Sequence, residues 1–486
     1  MVWNKLYIVA TCLALCFRAS AATTPEELLT RCRETGLPIL HIETVDSVMP
    51  TCDVAYPPEG CYGKSITNNE KIAGRLWIEA DGDTIYDSGN YMEKQSGITI
   101  KVRGNTSATK SGYYGQKKPY KLKLQKKADL LFRGKDDIYA DKDWILLRYV
   151  ICETLTGNIA NRTLQMPWTP AEKAVLLILN GDLRGMYLLT ESVERNQNCR
   201  VNVSKSGFLY EYDVYWWNAN YYIPSSNLKY NYTLKYPDED DIKPWQEEYL
   251  TNSIHSVEEA IVTPDAIDNV LDVPSFARWI WVHDILGSSD AAGANVFITK
   301  YDTTATSKTA MACTWDFGMA CANSQKKKWS RQHYGSWCFP TFFELPQLSF
   351  LREYIDLYDK LAYKACDSIA NQLDGLRVSP LAAQMDKGQI LDDERWIRHE
   401  VAPTKRLADL ATYLRERKLD VDSMMTIVKE DYERKIASVN MVRKATIQEP
   451  VMCFDLLGRQ VDPSASGITI IRYNDGTTEK RVHIQK

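Results

Sequence analysis

No Cys-x-x-Cys pair occurs in the 486 residues, and the six histidines form no His-x-x-x-His. Both absences argue against zinc, which is usually held by thiolates and imidazoles at short spacings. Charge of one sign is also scarce. Fifty-nine Lys and Arg against 63 Asp and Glu leave a net charge of -4 at pH 7, which implies no general affinity for nucleic acid. Long apolar runs are confined to the N-terminus, where Leu6 to Phe17 is too short for a permanent membrane span. With Lys5 before it and Ala19-Ser20-Ala21 after it, this run reads as a secretory signal at 1–21, with the mature chain starting at Ala22. The expectation is a secreted or cell-surface protein without a transmembrane segment.

Cysteine is present in an even number once Cys12 and Cys16 leave with the signal. In an exported chain this suggests some disulfides. Cys313, Cys321 and Cys338 lie close together in sequence, where a bridge and plain buried thiols are both open. Hydrophobic residues at 44% and charged residues at 25% are ordinary for a globular chain, and the length allows about two or three domains.

Ser275 to Gly318 holds the most informative pattern. Asp290 is followed five residues later by Asn295, and Asp316-Phe317-Gly318 comes further on. Val296-Phe297-Ile298 and Met311 to Trp315 are apolar runs around a turn at Asp302-Thr303-Thr304, so a hairpin would bring the two acidic sites together. A protein kinase uses an Asp, an Asn five residues on and an Asp-Phe-Gly to align phosphoryl transfer and hold Mg²⁺. His-Arg-Asp is missing, because Ser288-Ser289 precede Asp290, and the bland alternative is a turn residue at Asp290 and a strand-end residue at Asp316.

Upstream, Pro25 to Glu34 reads as a short helix. Leu37 to Thr44, Ile72 to Ala80 and Ile98 to Val102 read as strands, ending at Arg103-Gly104-Asn105. In Pro119 to Leu124, Tyr120, Leu122 and Leu124 share one face while Lys121 and Lys123 share the other. A Lys on a strand after a Gly-containing loop suits a phosphate contact, and equally a solvated edge strand. Asn180-Gly181 between apolar runs predicts a hairpin whose second strand ends at Glu191. That carboxylate could pair with a phosphate-binding Lys or be an ordinary strand-end charge. Tyr215 to Tyr236, aromatic and Asn-rich, reads as an insertion loop. Helical patterns cover Trp245 to Val262, much of Pro264 to Leu286, and Phe350 to Met425. Lys326-Lys327-Lys328 is a basic loop patch that suits an acidic partner or plain solvation. The stretch from roughly Ile436 to Pro450 reads as a connection to a small all-β module at 451–486.

In this order, several segments resemble the spore coat protein H (CotH) kinase family. They are Leu37-Pro38-Ile39, Arg103-Gly104-Asn105, Lys117 to Leu124, Lys142 to Leu147, Leu179-Asn180-Gly181, Arg184 to Glu191, Asp290 with Asn295, and Trp315 to Gly318. The resemblance implies an α+β, atypical protein-kinase-like bilobal fold at 22–435, with a β-rich N-lobe at about 37–212 and a helical C-lobe at about 240–430. It implies ATP, Mg²⁺ or Mn²⁺, and a protein Ser/Thr acceptor. Asp290 would orient the acceptor hydroxyl or assist the metal, and Asp316, with Asn295 as a second ligand, would bind the metal. Lys121, with Lys118 or Lys123 as alternatives, would contact phosphate, and Arg103 and Glu191 would lie near the nucleotide. One departure is Gly157 before Asn158, where the family often carries Arg. A silent kinase-fold binding or adhesion protein, AMP transfer and glycan phosphorylation are the alternatives. The tail from Phe454 through Gly467-Ile468-Thr469-Ile470 resembles C-terminal sorting domains of type IX secretion. This implies a Bacteroidetes-like source and contact with an outer-membrane secretion machinery.

Overall fold

A computed structural model of the chain describes residues 24–109, 116–134, 137–288, 294–322, 329–331, 339–345, 347–446, 450–463, 466–474 and 476–483. The fold is mixed α+β, with ten helices among these residues. The segment read as a secretory signal, Asp290, Lys326-Lys327-Lys328 and Cys338 lie outside them. Among the described residues no helix is long and apolar enough to cross a membrane.

Two units are present, Met1–Asp422 and Ser423–Lys486. The first begins with α1 (Pro25–Glu34), whose start is fixed by a reciprocal cap. The Glu27 amide donates to the Thr24 hydroxyl, and the Thr24 amide donates to the Glu27 carboxylate at 2.8 Å. Strands β1 (Ile39–Thr44), β2 (Asp53–Ala55), β3 (Ser65–Thr67), β4 (Ile72–Ala80), β5 (Asp83–Asp87) and β6 (Ile98–Val102) follow. Next come α2 (Thr106–Thr109), β7 (Tyr120–Ala128), β8 (Asp141–Leu147), α3 (Ile151–Thr163), β9 (Glu172–Leu179) and β10 (Asp182–Glu191).

The strand order β1-β9-β10-β8-β7-β6-β4 returns to β1, because β4 also pairs with it antiparallel. The N-terminal β region is therefore a closed barrel, with β5 attached to β4 outside the ring. Alternation along each strand sends Leu76, Ile100, Leu122, Trp144, Leu177 and Leu189 inward into one apolar core. The same alternation puts Lys101 and Lys121 side by side on the outer face, directly paired across β6 and β7.

A second sheet has the order β12-β11-β13-β14, formed by β11 (Phe208–Asp213), β12 (Asn231–Tyr236), β13 (Val296–Lys300) and β14 (Thr309–Cys313). β13 and β14 make the hairpin expected between the two acidic sites. β12 lies inside the stretch read as an insertion loop. Tyr232 and Leu234 alternate there with Thr233 and Lys235, a strand pattern hidden among asparagines. Helices α4 (Pro244–Ile261) and α5 (Val273–Leu286) precede β13. Trp279 and Trp281 make α5 a buried central helix: Trp279 Nε1 donates to the Cys313 carbonyl and Trp281 Nε1 to that of Tyr354. The remaining helices are α6 (Phe339–Glu344), α7 (Leu348–Lys360), α8 (Ala365–Arg377), α9 (Pro380–Trp396) and α10 (Pro403–Thr446).

Helix α9 packs on β10 at close range. Gly185, at φ 90°, leaves no side chain where the Asp392 carboxylate sits. Asp392 Oδ1 accepts from the Met186 amide at 3.0 Å and from the buried Lys117 ammonium, which also donates to the Met186 carbonyl at 2.6 Å.

Two further expectations change. The nine cysteines among the described residues are free thiols, including buried Cys313 and Cys321, so the even count does not translate into bridges there. The stretch Ile436 to Pro450 is helical as far as Thr446, because no Gly or Pro interrupts the chain between Pro403 and Pro450. The second unit ends in a three-stranded antiparallel sheet of β15 (Pro450–Asp455), β16 (Gly467–Tyr473) and β17 (Thr478–His483).

Candidate active site

Trp315 and Phe317 position Asp316. β14 ends at Cys313, and the Thr314 hydroxyl then hydrogen-bonds the buried Asn161 side chain of α3. Trp315 packs into an apolar cluster with Phe297, Trp168 and Leu209. Phe317 is buried against Gly157 on one side and His283 on another, with ring centroids 6.3 Å apart in the second contact. Two buried rings thus flank one exposed carboxylate. Asp316 adopts φ 60°, a left-handed conformation that Asp tolerates better than most residues, and its Oδ1 accepts from the Gly318 amide at 3.2 Å.

Asn295 is fixed from the neighbouring strand. It too is left-handed, at φ 65°, and its amide donates to Glu211 Oε1 at 3.0 Å. The other oxygen of Glu211 pairs with Lys235 at 3.0 Å. Asp213, two residues along β11 on the same face, accepts from the Tyr215 amide at 2.8 Å and the Thr233 hydroxyl at 3.1 Å. Burial, and then the neighbouring Glu211, push the Asp213 carboxyl up to about 6 against the pull of Lys235. Burial works against the Lys235 charge, but Glu211, Asp213 and Glu194 outweigh it and hold this ammonium above its ordinary range.

The barrel supplies the opposing charges. Burial lowers the pKa of the half-buried Arg103, opposed by Asp316 and then Glu211, so its guanidinium lies within electrostatic reach of both carboxylates. Lys121 bridges Glu194 at 2.9 Å and Asp143 at 3.1 Å. Its burial disfavours the ammonium, but Glu194 and Asp143 more than compensate and raise its pKa.

The other expected residues sit elsewhere. Lys118 donates to the Ala108 carbonyl at 2.6 Å and so braces α2, while Lys123 is exposed. Glu191 is buried, accepts from the Ala171 amide and pairs with Arg133 at 2.8 Å. Glu194, three residues later, is the carboxylate beside Lys121. Asp290 falls outside the described residues, just beyond the Gly287 cap of α5.

Glu194, Glu211, Asp213 and Lys235 were not singled out in the sequence. The available signal was Tyr210-Glu211-Tyr212-Asp213, where two acids alternate with aromatics along a strand. Chemically, Arg103 lies within electrostatic reach of Asp316 and Glu211, while Lys121 is paired with Glu194 and Asp143. The side-chain oxygens of Asp316 and Asn295 are hard donors of the kind that suit Mg²⁺ or Mn²⁺. Among the described residues no three His, Cys, Asp or Glu converge as a complete metal cage, so phosphate oxygens and water would have to complete the shell.

No curated protein matches the chain. The family model described as CotH kinase protein matches residues 100–376, more than half of its length. That span starts on β6, just before Arg103, and closes after Asp316, at the end of α8. The chain belongs to the CotH kinase family.

Proposed function

We propose that this chain transfers the γ-phosphoryl group of ATP to a protein Ser or Thr hydroxyl, in the cleft between the barrel and the second sheet. These two walls, with the helices around α5, would correspond to the two lobes of a kinase-like arrangement. The observation that carries the reading is Arg103, set within reach of both Asp316 and Glu211 while Lys121 stands on the same barrel face. Such a cleft offers cations for phosphate and carboxylate for a metal, which is most of what phosphoryl transfer requires.

Lys121, oriented by Glu194 and Asp143, and Arg103 would bind the phosphates. Asp316 and Asn295 would hold Mg²⁺ or Mn²⁺, which would neutralise charge on the phosphate oxygens. Glu211 would keep Asn295 in place through its amide. Asp290 would orient the acceptor hydroxyl and take its proton. The acceptor oxygen forms a bond to the γ-phosphorus, the bond to the β–γ bridging oxygen breaks, and ADP leaves. The N-terminal segment would direct export, and the sheet of β15 to β17 would address the chain to an outer-membrane secretion machinery.

The test is a thermal shift with ATP and Mg²⁺ or Mn²⁺, followed by transfer of labelled γ-phosphate to a mixed panel of Ser/Thr proteins. A metal-dependent rise in melting temperature that disappears in Asp316→Ala, together with transfer, supports the proposal. Absence of any shift with every nucleotide and metal tried overturns it.

A further inference from the structure

The aromatic stretch after β11 forms a strap from the second sheet to β3 and the loop after β6. It leaves β11 at Asp213, whose carboxylate accepts from the Tyr215 amide at 2.8 Å. Two residues on from that carboxylate, the Tyr215 hydroxyl reaches the barrel side and hydrogen-bonds Thr106 at 3.0 Å. Its ring covers Gly63 so closely that a Cβ there would sit 2.6 Å from it. Asn218 extends the same bridge. Its side-chain amide donates to the Ser65 hydroxyl at 2.9 Å and to the Ile66 carbonyl at 3.0 Å, and the Ser65 hydroxyl donates to Asn105 Oδ1 at 2.7 Å. Trp217 Nε1 adds a bond to the Tyr62 carbonyl at 3.1 Å.

Asn105 and Thr106, where the two bridges land, follow Arg103 in the chain. The strap's root is Asp213, on the same face as Glu211. One short segment therefore ties the loop carrying the barrel's guanidinium to the strand carrying the opposing carboxylates. Apart from the strap's bridges, that loop is held by a bond from the Arg103 amide to the Pro119 carbonyl, by the Lys118 ammonium on the Ala108 carbonyl and by the turn of α2.

We infer that Tyr215 and Asn218 are positioning residues, forming a latch that sets the distance between Arg103 and the carboxylate wall and so fixes the affinity for nucleotide phosphate. This rests on the phosphoryl-transfer reading for its ligand, but the latch itself is independent of it. A latch of this kind acts on binding more than on the chemical step. Removing it lets Arg103 wander while Asp316 and Asn295, anchored from β13, β14 and α3, stay where they are.

The test uses the full chain with Tyr215→Phe, which keeps the ring over Gly63, and Asn218→Ala, each alone and combined with Arg103→Lys. Loss of either bond should raise the KM for Mg-ATP roughly five- to tenfold while kcat stays within about twofold. Arg103→Lys should add less in the latch variants than in the parent chain. Amide hydrogen exchange should quicken at Arg103 to Thr109 without a change in the barrel strands. Unchanged KM, or additive losses, reduces the strap to local packing and overturns the inference. If the parent chain binds no nucleotide, the proposed activity fails and exchange alone decides. Faster exchange at Arg103 to Thr109 keeps the latch, and unchanged exchange removes it.

Discussion

The ring of Phe317 lies on the bare Cα of Gly157, occupying the volume that a Cβ would fill. The helix therefore has room only for glycine at this position. Gly157→Ala must push the ring away, and with it the backbone of Asp316. Overpacking of this kind costs about 1–3 kcal/mol. The variant should unfold earlier in urea and lose most of its Mg-ATP thermal shift. Phe317→Leu in the same background should restore stability more than ligand response, because the smaller side chain fits but holds Asp316 less firmly.

Lys121 separates from its neighbours by its partners. Lys121→Ala removes an ammonium oriented by Glu194 and Asp143, and should weaken Mg-ATP at least tenfold, about the loss of one charge-assisted hydrogen bond. Lys123→Ala, on an exposed side chain, should change affinity less than about twofold. Equal losses in titration calorimetry would contradict this ordering.

Asp213 gives the cleft a pH signature. Its folded pKa is raised, to about 6 from an ordinary 3.8, so folding favours the protonated form. The associated stability is complete below about pH 4 and is lost as pH rises through 6. Asp213→Asn should remove this slope, worth at most about 3 kcal/mol, from unfolding measured between pH 4 and 7. A slope that survives the substitution would assign it to another group.

His283 has the opposite sign. Burial pulls its pKa down to about 3, and neither ring nitrogen has a hydrogen-bond partner among the described residues. Its contribution is complete above 6.5 and is lost as pH falls from 6.5 toward 3, because only the unfolded chain takes up the proton. His283→Leu should flatten the acid limb of the stability curve. At pH 7 it should cost less than a typical core truncation, because two unpaired buried polar atoms leave with the ring.

Lys117 and Asp392 make a buried ion pair between the barrel and α9. Lys117→Met alone strands the carboxylate and should cost about 3–5 kcal/mol, whereas Lys117→Met with Asp392→Leu should recover part of that loss. Equilibrium urea unfolding of the two single variants and the double variant measures the coupling.

Much of the barrel was visible in the sequence because its strands alternate cleanly. Tyr120, Leu122 and Leu124 point into the core while Lys121 and Lys123 point out. The Asn180-Gly181 turn was equally plain, and both residues take the positive φ that such a turn demands, 52° and 78°. Closure was not legible, since it depends on β1 finding β9 more than a hundred residues later. The cleft followed the same division. Asp316 and Asn295 stand in a recognisable spacing. Glu211 acquires its meaning only from Asn295 and Lys235, which reach it from other strands. Glu194 rather than Glu191 meets Lys121 because the chain turns after β10, and a strand pattern says nothing about where a turn delivers the next side chain.

The double pairing of β1 also sets a timetable. As the chain is made, β1 and β4 can associate early, but the far edge of β1 stays open until residues 176–179 arrive. A nascent or truncated chain ending before β9 presents an unpaired edge rich in apolar residues, the kind of template on which chains join one another. Fragments ending near Ala128 should therefore be sticky and poorly ordered, and those reaching Glu191 should be the first able to complete the ring. For this protein, the shortest N-terminal piece that can close its own sheet ends with β10.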